Sequence, residues 1–358
     1  MHRAFLIAHR WLALVVPVFL AVVAVSGGLL VLEGPVSRAR QPHVVPGGSR
    51  LPLDTLVQRA CATAGGGGDV VMMALGDSPD LAWSVVLSST SGLGARGGAN
   101  ILLNPYTGAI LTGPQGPDPL VGFMRKVHLL HTQLLGGRVG NAIVVAVTFG
   151  ALFLVLSGIV VWWRDKLWRV NRSGSWKRTN FDLHHSLGIF SAVVLLIITS
   201  TGLWVRYAKV DEWMRKLNSA PTPSVPSQPA AAPGIPLLSL DSIAAAARAA
   251  VPRASIMNIQ LPSGPKLPAM VQLKYAEDHT PAGRSRVFVD KYRGTVLLAM
   301  STRTAEAGQH MIDIKRSLHT GDIYGVPTQI LWMLGAFLLA AQAVTGVLMW
   351  WNAKRRLV

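Results

Sequence analysis

Four histidines stand in a spacing that repeats. His9 is followed 17 residues later by Ser26-Gly27, and His184 is followed 17 residues later by Thr201-Gly202. His131 is followed 26 residues later by Ser157-Gly158, and His319, again after 26, by Thr345-Gly346. Imidazole is the commonest metal-ligating side chain, and two neutral imidazoles facing each other supply what a six-coordinate haem iron needs. A lone histidine at a helix end in a membrane interface is usually just an amphipathic residue in a tolerant place. Four at two matched spacings ask for a common reason. The hydroxyl–glycine pairs read as packing residues, since small side chains let helices approach and a hydroxyl can bond back to its own helix.

Other redox chemistry is bounded by what the chain lacks. Cys61 is the sole cysteine, which rules out an intrachain disulfide, a covalent haem site and a cysteine-held iron–sulfur cluster. No Gly-x-Gly-x-x-Gly follows a strand, so neither a nicotinamide nor a flavin fingerprint is present. A redox role would need a non-covalent cofactor and a separate electron donor, either a protein or a quinol.

The elements that would position these residues are membrane spans. Of 358 residues 50% are hydrophobic and only 14% charged, and the apolar ones are clustered. Four runs are long enough to cross a bilayer: roughly Trp11–Leu32, Val139–Trp163, Ser186–Val205 and Val326–Trp351. The first has a longer uncharged run than a signal peptide and no small-x-small cleavage site, so it reads as a retained helix. Domain boundaries follow: helix 1 over residues 1–33, an external domain and return segment over 34–138, helix 2 over 139–163, and a loop over 164–182. Helix 3 occupies 183–206, a second external domain and return segment 207–325, helix 4 326–351, and a tail 352–358.

Arg164, Lys166, Arg169, Arg172, Lys177 and Arg178 crowd the short loop, and Lys354, Arg355 and Arg356 follow the last span. Positive residues in short segments stay in the cytoplasm, so both termini are expected inside and both long connections outside. Trp162-Trp163 and Trp350-Trp351 mark the cytoplasmic interface. The net charge of +17 is in part this inside-facing charge, and it argues for attraction to lipid headgroups, not for nucleic-acid binding.

The order of signals repeats. Leu53–Ala64 and Leu240–Ala250 read as short amphipathic helices, with Asp54 and Asp241 near their starts. Leu81–Ser88 and Ala99–Leu103 in one half, and Val271–Tyr275 and Arg286–Val289 in the other, read as strands. Asn104–Gly108 and Asp290–Gly294 are turns. A Gly-rich turn at Gly65–Gly68 and a Pro-rich linker at Pro221–Pro236 complete the pattern. The expected fold is therefore an integral membrane protein with a four-helix transmembrane bundle and two extramembrane α+β domains, built by internal duplication. The repeats are parallel, with a pseudo-twofold along the membrane normal.

That symmetry offers two pairs: His9 with His184 at the cytoplasmic face, and His131 with His319 at the external face. Ala13, Gly188 and Ser191 would leave room for a flat macrocycle. His128, three residues before His131, and His185, beside His184, are alternatives at those positions. His2, His43, His279 and His310 have no matched partner, and His310 has a place only as a residue facing substrate. Gln342 lies inside the last span and can bond across the bundle or to a cofactor. Arg125, Lys126, Arg138, Lys315 and Arg316 flank the external histidines as partners for haem propionates or an anionic substrate, or simply as a solvated face.

His9-Arg10-Trp11-Leu12, Phe181–Gly188 (FDLHHSLG), His131–Gly136 (HTQLLG) and the Ser/Thr-Gly helix ends resemble the PepSY-associated transmembrane helix family. The two extramembrane units, with their Asn104–Gly108 and Asp290–Gly294 turns, resemble PepSY domains. The resemblance covers nearly the whole chain, and in size and layout it is nearest to the inner-membrane ferric-siderophore reductases of the ferrioxamine type. Arginine is usual where His185 stands, and glycine where Ala13 stands. The resemblance implies a bacterial inner-membrane oxidoreductase with two b-type haems on His9, His184, His131 and His319. It would reduce a ferric-siderophore outside and release ferrous iron, because hard oxygen ligands hold Fe(III) far better than Fe(II). No further catalytic residue is singled out. The rival classes are a membrane-anchored PepSY binding module without cofactor, and an iron or siderophore transporter.

Overall fold

The computed structural model describes residues 2–64, 68–88, 99–112, 118–166, 168–171, 174–217, 224–229 and 235–354. Part of the Gly65–Gly68 turn, parts of the Pro221–Pro236 linker, Arg172, and the tail beyond Lys354 lie outside them. The elements in chain order are α1 (His2–Val15), α2 (Pro17–Leu30), α3 (Glu33–Arg40), α4 (Leu53–Thr63), β1 (Val70–Ala74), β2 (Trp83–Leu87), β3 (Asn100–Leu103) and β4 (Ile110–Thr112). Then come α5 (Pro119–Gln133), α6 (Gly137–Asp165), α7 (Trp176–Arg206), α8 (Ala208–Leu217) and α9 (Leu240–Ala250). The chain ends with β5 (Ser255–Gln260), β6 (Ala269–Lys274), β7 (Ser285–Val289), β8 (Val296–Met300), α10 (Ala307–Thr320), a 3-10 turn (Asp322–Tyr324) and α11 (Val326–Lys354). They sort into two compact units. One comprises Met1–Ser37, Asp118–Trp213 and Ile314–Val358, the other Arg38–Pro117 and Met214–Asp313.

In the first unit, α6, α7 and α11 are each long and apolar enough to cross a membrane, and α1 with α2 make a fourth span if the bent pair is counted as one. The bundle core is small and aliphatic: Leu20 and Ala24 of α2, Val147, Ala151 and Val155 of α6, Leu195 of α7, and Leu339 and Ala340 of α11. The first span is not the single helix that its composition suggests. It bends by 73° between α1 and α2. Pro17 has no amide to donate and disfavours helical geometry in the residue before it, and Val16 sits there at φ −103°, ψ −5°.

Two further features matter for the histidines. His131 does not lie on the second span, nor His319 on the fourth. His131 is in the last turn of α5, whose start is set by Pro119 at its first position and by the Asp118 side chain accepting from the Leu120 and Val121 amides. Leu134, Leu135 and Gly137, all at positive φ, then reverse the chain before α6 begins. His319 is likewise at the end of α10, cut off from α11 by Gly321 and Gly325 at φ 80° and 68°. α7, in turn, begins at Trp176 and takes in the last residues of the expected loop.

The second unit departs from the expectation of two separate domains. Its strands form one antiparallel sheet of eight, in the order β4-β3-β2-β1-β5-β6-β7-β8. The seam is β1 against β5, with Met72 opposite Gln260 and Ala74 opposite Asn258. Residues alternate as a half-buried sheet requires: Trp83, Val85 and Leu87 are buried while Ser84 and Val86 between them are less so. α4 and α9 pack on the sheet, and their apolar faces (Leu56 and Ala60, Ile243 and Ala247) join both strand sets in one core. The two helices also cap each other. Asp241 accepts from the Leu53 and Asp54 amides at 3.0 and 3.1 Å, and Asp54 accepts from the Leu240 and Asp241 amides at 2.8 and 3.3 Å. Each carboxylate thus satisfies two of the amides that a helix start leaves open. The hairpin turns match as well: Asn104 accepts from Tyr106 and Thr107, Asp290 from Tyr292 and Arg293. Gly108 and Gly294 close them at φ 69° and 76°.

Candidate functional site

The four repeated histidines come together as two pairs within the membrane unit. His131 and His319 face each other with ring centroids 6.3 Å apart and planes inclined by 33°. His9 and His184 line one cavity of about 740 Å³.

Each ring is seated against the glycine of a hydroxyl–glycine pair on another helix. His9 meets Ser157-Gly158, His131 meets Gly27, His184 meets Thr345-Gly346, and His319 meets Thr201-Gly202. A Cβ built on these glycines would stand 3.5, 2.8, 3.4 and 3.0 Å from the Cε1 atoms of the respective rings. Helix packing, the role expected of these pairs, is therefore only part of what they do. The sequence signal was the regular placing of the pairs; what it concealed is that each serves a histidine from another helix.

The hydrogen bonds fix the tautomer. His131 Nδ1 is 2.9 Å from the Val23 carbonyl oxygen, and His319 Nδ1 is 3.1 Å from that of Ile198. A carbonyl only accepts, so both rings carry the proton on Nδ1. His9 Nδ1 is 2.8 Å from Ser157 Oγ, which donates its own proton to Phe153 O at 2.7 Å. His184 Nδ1 is 2.8 Å from Thr345 Oγ1, which donates to Ala341 O at 2.8 Å. Each hydroxyl has one proton and spends it on its own helix, so it must accept from the imidazole. All four rings therefore hold their proton on Nδ1 and keep the lone pair on Nε2, which has no hydrogen-bond partner among the described residues. An imidazole anchored through one nitrogen presents the other to a metal.

The cavity carries further chemistry. Arg10, Lys177 and Arg178 line it together with Gln342, and none of the described residues that line it is a carboxylate. Ala13 and Gly188 also line it, as their size suggested. Ser191 does not, being buried and bonded back to Leu187 O. The tryptophan pairs split: Trp162 and Trp350 turn into the cavity, while Trp163 and Trp351 are 66% and 55% exposed.

The remaining histidines fall away from the pairs to different degrees. His185 also lines the cavity, set edge-on to His184 at 6.2 Å and tilted over Phe181 at 4.3 Å. His128 is engaged by Glu33 at 3.3 Å, and His43 by Asp80 at 2.9 Å. Lys315, a proposed anion partner, is committed to both oxygens of Asp211, which also accepts from Trp204 Nε1. Arg125, Lys126, Arg138 and Arg316 are exposed. Among the described residues no three metal-ligating side chains converge.

Residues 6–353 match the PepSY-associated TM region family, and the chain belongs to that family. With three or four apolar spans among the described residues, it is a membrane protein. Comparison with curated proteins finds no match.

Proposed function

We propose that this protein carries electrons across a membrane on two b-type haems, one held by His9 and His184 and the other by His131 and His319. The observation that carries the reading is the uniform state of the four rings, each anchored at Nδ1 and open at Nε2. The donor set fits the group. Two ligands are too few for a bare metal ion of the usual protein kind, whereas haem brings four nitrogens and asks the protein for two. Two imidazoles bound through nitrogen to one metal at about 2.0 Å have centroids about 6 Å apart, in keeping with the His131–His319 separation. A cavity with cations and no carboxylate suits a flat apolar body with acidic substituents, and Arg10 and Lys177 are the residues to meet those substituents.

Bound haem would supply one-electron chemistry. The chain's own part is to hold the rings in one tautomer, to exclude water with the aliphatic bundle core, and to space the two centres along the bundle. The charge of the loop between the second and third spans supports a cytoplasmic position for it and for both termini in a bacterial inner membrane, with the sheet unit outside. The matching caps, turns and strand order of the two halves support a duplication of PepSY-like units. The acceptor we propose is a ferric-siderophore, which loses its grip on iron once the metal is reduced. The donor is a quinol or a separate protein.

The test is spectroscopic. Protein purified in detergent from cells supplied with haem should show sharp low-spin bands after dithionite reduction and about two b haems per chain by pyridine haemochrome. Mixing the reduced protein anaerobically with a ferric hydroxamate should reoxidise it. A colourless protein would leave a membrane-anchored binding module as the reading.

A further inference from the structure

The two pairs differ in what receives the Nδ1 proton. For His131 and His319 the receiver is main chain, the carbonyls of Val23 and Ile198, with Thr201 Oγ1 a longer second contact to His319 at 3.3 Å. For His9 and His184 it is a side-chain hydroxyl in both cases, Ser157 and Thr345, at 2.8 Å. Each of those hydroxyls is polarised by the proton it gives to its own helix, and chained hydrogen bonds of this kind strengthen one another.

We propose that Ser157 and Thr345 are positioning residues that set the reduction potential of the His9/His184 centre alone. The inference rests on the di-haem reading. Donating Nδ1–H raises the basicity of the ring at Nε2. A more basic ligand favours the ferric over the ferrous state and so lowers the potential. At this pair the receiver is wholly a side chain, where substitution can reach it. At the other pair the nearer receiver is the backbone.

The experiment is a redox titration of the full-length protein in detergent, followed optically through the reduced haem bands. The wild type is compared with Thr345→Val, which keeps the shape and removes the hydroxyl, with Ser157→Ala, and with Thr345→Ser as the conservative control. The expected result is that Thr345→Val and Ser157→Ala each raise one of two midpoint potentials and leave the other unmoved, while Thr345→Ser behaves as wild type. Haem transfer from the affected site to an excess of apomyoglobin should quicken by roughly tenfold or more. If Thr345→Val fails to load that site, Ser157→Ala carries the comparison, and an unmoved midpoint there overturns the inference. Haem-replete variants with unmoved potentials, or with both midpoints moving together, would overturn this inference and leave the di-haem reading intact. A wild-type protein without haem would remove both.

Discussion

At the scale of single residues, the close approach of imidazole to glycine divides the four seats into two kinds. A Cβ on Gly27 or Gly202 would lie 2.8 or 3.0 Å from a ring carbon, whereas on Gly158 or Gly346 it would make ordinary contact at 3.5 or 3.4 Å. Gly27→Ala and Gly202→Ala should therefore displace His131 and His319, and haem per chain should fall from about two to about one by pyridine haemochrome. Gly158→Ala and Gly346→Ala should retain the full complement. Equal losses at all four glycines would mean that something other than the ring contact is at work. The residues themselves were visible in the sequence, since histidine, hydroxyl and glycine stand at repeated offsets. Which hydroxyl serves which histidine was not visible, because spacing along the chain reports neighbours on one helix, and these contacts are between helices.

At the scale of elements, Pro17 and the paired aspartates are the features to test. The bend at Pro17 carries His9 on α1 into the wall of the cavity. Pro17→Ala restores an amide donor and relieves the clash with the preceding turn, so α1 should realign with α2. The expected result is loss or high-spin conversion of one haem spectrum with the other unchanged. Pro17 stands inside the apolar run, and hydropathy does not report the bend, since a bent span and a straight one have the same composition. Asp241 supports a second prediction. Burial would raise its carboxyl, yet the Leu53 and Asp54 amides hold it below the usual carboxylate range. A depressed folded pKa contributes stability that is present above the unfolded value of about 3.9 and is lost as pH falls through the folded one. Thermal unfolding of the sheet unit should be level from neutral pH to about 5 and decline below about 4. Asp241→Ala should lower the level region by about 1–2 kcal/mol and flatten the acid limb. An acid limb of unchanged steepness in the variant would count against the cap. The amphipathic helices and both aspartates could be read from the chain. That each aspartate caps the other helix could not, because the partners are 187 residues apart.

At the scale of the whole molecule, orientation is the open prediction. With Cys61→Ser as background, a single cysteine at Lys177 should react with an impermeant maleimide only in inverted vesicles, and one at Lys266 only in intact spheroplasts. The reverse pattern would overturn the proposed direction of electron flow along with the topology. The three long spans, the strands β2, β3, β6 and β7 and their turns were legible because each has a strong local period or turn chemistry. The single sheet was not, since nothing in β1 or β5 marks them as neighbours. Strand pairing across the seam depends on which strand meets which, and the alternation within a strand does not encode its partner.

That seam has a consequence for a chain cut in half. β1 uses its outer edge to pair antiparallel with β5, and an isolated first half would be left with that edge unsatisfied. A strand that pairs antiparallel across a twofold can pair with its own copy. A polypeptide ending after α6 should therefore assemble as a symmetric homodimer through β1, with Asp54 of each copy capping the other's α4.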